Sequence, residues 1–150
     1  ETGGRFCGIR IEKYNLLVIG VLASPFYPTP RKKQIKKVLD YSKKTLNENG
    51  NVIVAGDLNC EMNDLKDIHL SDKFQCITDK TFPHLDLIKA IDNILLPFRM
   101  LAKYVLSVQK GQRKLDHIFI PKYAELKEYW IESTTSDHLA VIAEIAIKVD

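Results

Sequence analysis

The sequence has no long apolar run, no cysteine pairs at metal-binding spacing and no strong net charge. No stretch approaches the 18 or more apolar residues that predict a membrane-spanning helix. The cysteines number three, Cys7, Cys60 and Cys76, which argues against a disulfide framework or a zinc knuckle. Reduced thiols favour an intracellular protein without specifying the compartment. The net charge of +3 permits a phosphate-bearing ligand but does not demand one.

The length and the patterning predict one layered domain that spans residues 1–150. Hydrophobic residues at 45% and charged residues at 27% are ordinary for a globular protein. Ile35, Val38 and Leu39 recur at helical spacing within an amphipathic helix predicted over 31–50. Short apolar runs predict strands at 5–11, 15–23, 51–55, 115–121 and 138–148. Short strands outnumber helices in a mixed order, which favours an α/β or α+β sheet protein.

The remaining segments have weaker patterns. Residues 24–30 contain three prolines in seven positions and predict a loop. Residues 60–80 are polar and irregular, with room for a short helix. Residues 87–98 fit a helix face, although Pro97 must end or kink that helix. Residues 123–133 are predicted to link two strands.

Polar side chains follow or begin three of the predicted strands. They are Asp57 with Asn59, Asp116 with His117, and Asp137 with His138. Carboxylates at strand ends can converge on one rim of a sheet, and hard oxygen donors suit Mg²⁺ or Mn²⁺ better than zinc. A histidine beside such an ion can act as an acid or a base near neutral pH. This combination favours hydrolysis of a phosphate ester.

Three segments together resemble the endonuclease/exonuclease/phosphatase superfamily, which has the DNase-I-like fold. They are VIVAGDLN, RKLDHIFIP and TSDHLAVIAEI, in the order and rough spacing of that superfamily. The resemblance covers about residues 5 to 148 and implies an α+β fold, a layered β-sandwich flanked by helices. It implies a metal-dependent phosphodiesterase, with a nuclease acting on DNA or RNA as the leading expectation.

The resemblance assigns roles to individual residues. Asp57 is similar to the carboxylate that holds or deprotonates the attacking water, and Asn59 to its phosphate-orienting partner. Asp57 and Asp137 are expected on the metal side, and His138 at the scissile phosphate. Asp116 is similar to the carboxylate that pairs with this histidine and fixes its tautomer. Without the resemblance, Asp57 and Asp137 would be ordinary turn residues.

Several assignments around this site remain open. If IKAIDNILLP matches the superfamily's acidic strand, Asp92 replaces Asp116 as the histidine partner. We favour Asp116 because its strand is stronger and lies nearer to His138. His117 is expected to be structural, on the sheet face opposite Asp116. Arg113 and Lys114 lie in the loop before Asp116 and are expected to meet a nucleic-acid backbone.

The superfamily also carries an Asn on its first strand and a metal-binding Glu soon afterwards, and neither is found here. The sequence begins where the middle strands of the superfamily begin, so an N-terminal half is missing from the pattern. Three interpretations stay open: a fragment completed by another chain or segment, a minimal natural form, or an inactive half-domain used for binding. Within the enzyme class, the alternative is a phosphomonoesterase acting on inositol or lipid phosphates.

Overall fold

Strands and one helix follow each other along the chain in a computed structural model, which describes residues 5–25, 27–66, 68, 72–82, 113–136 and 138–147. The strands are β1 (Arg5–Ile11), β2 (Leu16–Leu22), β3 (Asn51–Asp57), β4 (Phe74–Thr78), β5 (Asp116–Pro121), β6 (Glu125–Glu132) and β7 (Ala140–Ala146). The helix α1 spans Pro28–Asn47, and short 3-10 turns cover Glu12–Tyr14 and Met62–Leu65. The predicted α+β class is confirmed.

Two sheets form the strand layers. The first has the order β1-β2-β3-β5-β4, and the second pairs β6 with β7. β2 and β3 run parallel because α1 returns the chain between them, whereas the other pairs are antiparallel. α1 covers one face of the five-stranded sheet, and the β6–β7 sheet packs against the other.

The alternation of side chains along the central strands separates two cores. Val52 and Val54 of β3 face α1, and Ile53 faces the β6–β7 sheet. On β5, Phe119 belongs to the helix side and Ile120 to the opposite side. The same alternation places Asp57 and Asp116 on the side of the β6–β7 sheet.

Some predicted boundaries were wrong, each for a physical reason. α1 begins at Pro28, so the last prolines of the predicted loop lie in its first turn, where a missing N–H costs no hydrogen bond. β4 and β6 were not predicted as strands. Most residues of β6 are exposed. Charged residues are therefore tolerated there, and no apolar alternation marks this strand in the sequence. The helix predicted over 87–98 lies outside the described residues.

Among the residues that the structure describes, none of the helices combines the length and the apolar character that a membrane span requires.

Candidate active site

Two carboxylates face each other across neighbouring strands at one rim of the five-stranded sheet. Asp57 ends β3, Asp116 begins β5, and the two residues are direct partners in the antiparallel register. Like charges directly opposite each other destabilise a sheet, so this pair opposes folding. Such a pair therefore points to function rather than to stability.

His138 joins this pair from the segment just before β7, two residues ahead of Ala140. Its Nδ1 lies 2.8 Å from Oδ2 of Asp116, and both side chains are only 20% exposed. An Nδ1–H that donates to the carboxylate fixes the tautomer in which Nε2 carries the lone pair. The ring of Phe82 lies 4.7 Å from the His138 ring, centroid to centroid, and limits its rotation. The expected pairing of His138 with Asp116 is present, while Asp92 lies outside the described residues.

The turn after β3 holds Asp57 in place. The main-chain N–H of Asn59 donates to Oδ1 of Asp57 (2.7 Å), and the Asn59 side-chain amide donates to Oδ2 (2.9 Å). That amide also donates to the Ala23 carbonyl (3.0 Å). Asn59 thus positions Asp57 in this structure, and its expected hydrogen bond to a phosphate stays a prediction.

Gly56 lets β3 approach β2 closely enough to build this turn. Its φ is +142°, and a Cβ at this position would lie 2.0 Å from the main-chain oxygen of Val21. A residue with a side chain cannot occupy this position without moving the backbone. The close packing of β3 on β2 therefore requires a glycine immediately before Asp57.

The electrostatics of Asp57 reflect its surroundings. Burial raises the pKa of the Asp57 carboxyl above its ordinary value, and the hydrogen bond from the Asn59 main chain opposes that change. The negative charge of Asp116 raises the pKa further, whereas His138 lowers it. Asp57 is therefore a more basic carboxylate than an exposed aspartate, as a proton acceptor requires.

His117 occupies the opposite face of β5, as expected from strand alternation. It is 1% exposed, and its Nε2 lies 2.9 Å from the main-chain oxygen of Cys60. Burial lowers the pKa of His117, which keeps the ring neutral, with Nε2–H as the donor to Cys60. This hydrogen bond to Cys60 holds the turn that contains Asn59 against β5 from the helix side of the sheet.

The three cysteines are free thiols, as expected. Burial raises the pKa of Cys60 to about 11 and that of Cys76 to about 12, so both stay protonated at neutral pH. The thiol of Cys76 lies 3.6 Å from Nδ1 of His117. Neither sulfur is therefore a nucleophile, and Cys60 is buried as expected.

The basic loop residues lie where the chain enters β5. Nε of Arg113 lies 3.7 Å from Oε1 of Glu61, and about 40% of each side chain is exposed. The main chain of Arg113 pairs with Phe82 in an isolated bridge, and Lys114 is exposed. Their expected contact with substrate stays a prediction, as does the metal role of Asp137, which lies outside the described residues.

The donor atoms at this rim form a compact group. Within the described part of the chain, one ligand atom each from Asp57, Asp116 and His138 lies within 4.8 Å of the others. Two of the three groups are carboxylates, which suit a hard divalent cation. The residues present fit such an ion because its charge would relieve the repulsion between Asp57 and Asp116.

The sequence analysis did not identify Thr81, which contacts Asp116, as part of this site. Thr81 donates its hydroxyl to Oδ2 of Asp116 at 2.5 Å and is fully buried. A single threonine carries no spacing signal.

Comparisons of the sequence with family models and with curated proteins give no match. Solved structures do match the fold. An endonuclease/exonuclease/phosphatase from Bacteroides vulgatus has a TM-score of 0.59 and 15% identity, with 97% of this chain and 55% of that chain covered. A mannosyl-6-phosphatase from Bacteroides thetaiotaomicron VPI-5482 has a TM-score of 0.55 and 15% identity, with 88% and 51% covered.

A functionally unknown conserved protein from Enterococcus faecalis V583 has a TM-score of 0.57 and 18% identity, with 89% of this chain and 50% of that chain covered. This chain thus spans about half the length of the solved chains that it matches. At these identities the likeness establishes the fold. The protein has the expected DNase-I-like fold, which it shares with these solved structures.

Proposed function

We propose that this protein is a divalent-metal-dependent phosphodiesterase that acts as a nuclease on DNA or RNA. The observation that carries the proposal is the group formed by Asp57, Asp116 and His138 at one rim of the sheet. A proton acceptor, a carboxylate-oriented histidine and oxygen donors for a cation are the groups that phosphate-ester hydrolysis requires.

Each residue has a distinct task in this proposal. Asp57 orients the attacking water and accepts its proton, and Asn59 fixes the Asp57 carboxylate. Asp116 holds His138 in the Nδ1–H tautomer, in which Nε2 is the basic ring nitrogen that would exchange a proton at the phosphate. Mg²⁺ or Mn²⁺, held by Asp57 with Asp116 and the expected Asp137, would neutralise the phosphoryl oxygens.

The substrate-binding part of the proposal uses the basic loop before β5. Lys114 is exposed, and Arg113 is about 40% exposed. Cations beside a hydrolytic site can neutralise neighbouring phosphates of a nucleic-acid backbone and set its position. Replacing both by Gln is expected to weaken DNA binding and to flatten its dependence on salt concentration.

Nicking of supercoiled plasmid tests the proposal. Activity should require Mg²⁺ or Mn²⁺, disappear in EDTA, and fall about 100-fold or more in Asp57→Asn and His138→Ala. Asp40→Asn is the matched control, because Asp40 is a carboxylate of α1 that pairs with Lys36. Equal nicking by the wild type and both site variants would indicate a contaminating nuclease and reject the proposal.

A second candidate function is phosphomonoester hydrolysis. The observation that favours it is the fold likeness to a solved mannosyl-6-phosphatase. Phosphate release from inositol phosphates or mannose 6-phosphate, without nicking of plasmid, would support a phosphomonoesterase. Release that persists in Asp57→Asn would exclude this site as its origin.

We further propose that residues 1–150 form the middle and C-terminal portion of one domain, completed by a second chain or by an N-terminal segment. The half-length match to solved chains supports this, as does the exposure of all seven residues of β1. Light scattering combined with nicking assays tests the proposal. Full turnover by a monomer of these 150 residues would contradict it.

A further inference from the structure

A groove lies between α1 and β1, on the helix face of the five-stranded sheet. Phe6 and Arg10 of β1 are the register partners of Val21 and Leu17, which belong to the helix-side core. Direct partners in a sheet point to the same face, so Phe6 and Arg10 point toward α1. The groove has a volume of about 500 Å³, within the usual range of ligand sites. The carboxylates of the candidate active site lie on the opposite face, so the groove is separate from them.

Two exposed aromatic rings border the groove. Phe6 is 59% exposed, and Tyr41 of α1 is 55% exposed. The floor of the groove is apolar and includes the buried residues Leu17, Ile19 and Val38. Exposed rings beside an apolar floor offer flat surfaces on which another planar group, such as a nucleobase, can stack.

The charged side chains of the groove are positive. Arg10 and Lys37 line it, and among the described residues that line it none is acidic. Arg10 also donates to Oδ1 of Asn15 at 3.3 Å, and this neutral partner does not cancel its charge. Charge complementarity therefore favours an anionic ligand in the groove.

The positive charge continues along α1 beyond the groove. The helix contains seven Lys or Arg residues against one Asp, which gives +6, whereas the whole chain has a net charge of +3. One side of the helix carries Lys33, Lys37, Tyr41 and Lys44, which follow at intervals of four, four and three residues. At about 1.5 Å per residue this stripe extends roughly 16 Å. Glu48 lies 3.9 Å from Lys44 and offsets part of the charge at one end.

We propose that the groove between α1 and β1 binds single-stranded nucleic acid, with bases stacked on its two aromatic rings and phosphates beside its two cations. Proteins hold a single strand, whatever its sequence, by combining stacking platforms with a positively charged groove. A free nucleotide would use the groove alone, whereas the lysine stripe extends past the groove along α1 and matches several phosphates. A membrane surface is flat and would leave the concave floor unfilled. The proposal concerns binding and does not depend on hydrolysis by the candidate active site.

The first measurement is the binding of a fluorescein-labelled oligothymidylate of about 12 nucleotides, followed by fluorescence anisotropy in EDTA. Tyr41→Leu should raise Kd at least about fivefold, because leucine retains apolar area but not the ring. Tyr41→Phe retains the ring and should bind like the wild type. Tyr129→Leu is the matched control, since Tyr129 is 46% exposed on β6. Equal Kd values for the wild type and Tyr41→Leu would overturn the proposal.

The second measurement is the salt dependence of the same binding. Lys37→Gln should reduce the slope of log Kd against log NaCl concentration by about 0.7, the contribution of one phosphate contact on a single strand. Lys122→Gln makes the same charge change at an exposed position between β5 and β6 and should leave the slope unchanged. Equal changes of slope in the two variants would indicate a general charge effect and overturn the assignment of Lys37.

Photocross-linking of an iodouracil-containing strand locates the bound nucleic acid. Cross-links are expected in the peptides that contain Phe6 or Tyr41. Cross-links confined to the peptide that contains Asp116 would place the strand at the candidate active site alone and overturn the proposal. If the wild type nicks no plasmid but binds the oligonucleotide through Tyr41, the proposed nuclease function fails and the groove assignment stands.

Two further probes test the other possible occupants of the groove. Thymidine monophosphate, at equal nucleotide concentration, should compete with the labelled strand only weakly. Competition as strong as that of the unlabelled strand would assign the groove to a free nucleotide and overturn the proposal. Cosedimentation with anionic phospholipid vesicles, without binding of the oligonucleotide, would also overturn it.

Discussion

The two faces of the five-stranded sheet differ in how completely they are buried. Among the residues that the structure describes, the cluster on the helix side contains 15 buried residues. The cluster on the opposite side contains three, Ile77, Ile120 and Ala124, with partly buried neighbours. Asp57 and Asp116 lie on the second side. The comparison indicates that the helix side supplies most of the stability, while the less buried side accommodates the polar groups of the site.

This division has a physical basis. Burial of apolar area stabilises roughly in proportion to the area removed from water, so the larger helix-side cluster contributes more. Charged groups cost less free energy where water still reaches them, and the candidate site lies where the second cluster ends. The following predictions test that division, from the largest effect on folding to the smallest.

The largest effect is expected at Gly56, where β3 meets β2. Gly56→Ala should lower the free energy of unfolding by about 3 kcal/mol or more, or prevent folding, because the new Cβ would collide with the Val21 main chain. Urea denaturation measures this loss. Gly8→Ala is the control: its Cβ would have no neighbour closer than 3.6 Å, so a change of about 1 kcal/mol at most is expected. Equal losses of stability in Gly56→Ala and Gly8→Ala would contradict the close approach of Gly56 to the Val21 main chain.

Truncation on each face compares the two clusters directly. Leu39 of α1 is 1% exposed, so Leu39→Ala should cost about 2–5 kcal/mol. Ile145 of β7 is only partly buried, so Ile145→Ala should cost about half as much. Chemical denaturation of both variants provides the comparison. A larger loss at Ile145 would contradict the proposed division of stability.

A smaller effect is expected from the buried His117. Its folded-state pKa is lowered by burial, so the unfolded state binds a proton first as the pH falls. Stability contributed by the neutral ring is present above about pH 6.5 and is lost as the pH falls below that value. In His117→Gln this loss should be smaller, by about 2 kcal/mol at most between pH 7 and pH 5. Parallel pH profiles for both proteins would show that His117 is not buried as a neutral ring.

The smallest effect on folding is expected at Asp57, measured in EDTA. Its pKa is raised in the folded state, so the ionised carboxylate opposes folding above that pKa. Asp57→Asn should therefore leave stability unchanged or increase it, by less than about 1 kcal/mol at pH 7, and this advantage should shrink towards pH 4. Thermal unfolding at several pH values tests this. A clear loss of stability would assign Asp57 to a structural turn.

Much of the site could be predicted because its residues lie at strand ends. Strand alternation correctly placed His117 opposite Asp116. The apolar run before Gly56 correctly predicted a buried strand, although β3 extends to Asp57. These predictions used local patterns, which a single sequence carries.

Other features depend on tertiary contacts and left no local pattern. β6 and β4 were missed because β6 is mostly exposed and β4 is a short strand within a polar segment. Thr81 was missed because its role depends on its distance to Asp116. The amide hydrogens of Asn59 contact Asp57 and Ala23, a geometry set by the turn after β3, and the expected hydrogen bond of this amide to a phosphate stays a prediction.

The convergence of Asp57, Asp116 and His138 on one divalent cation can be measured most directly by anomalous diffraction from crystals grown with MnCl₂. The account predicts a manganese peak in contact with a carboxylate oxygen of Asp57 or Asp116, and a His138 ring still hydrogen-bonded to Asp116. No manganese at this rim, with the three side chains directed to separate surfaces, would contradict it.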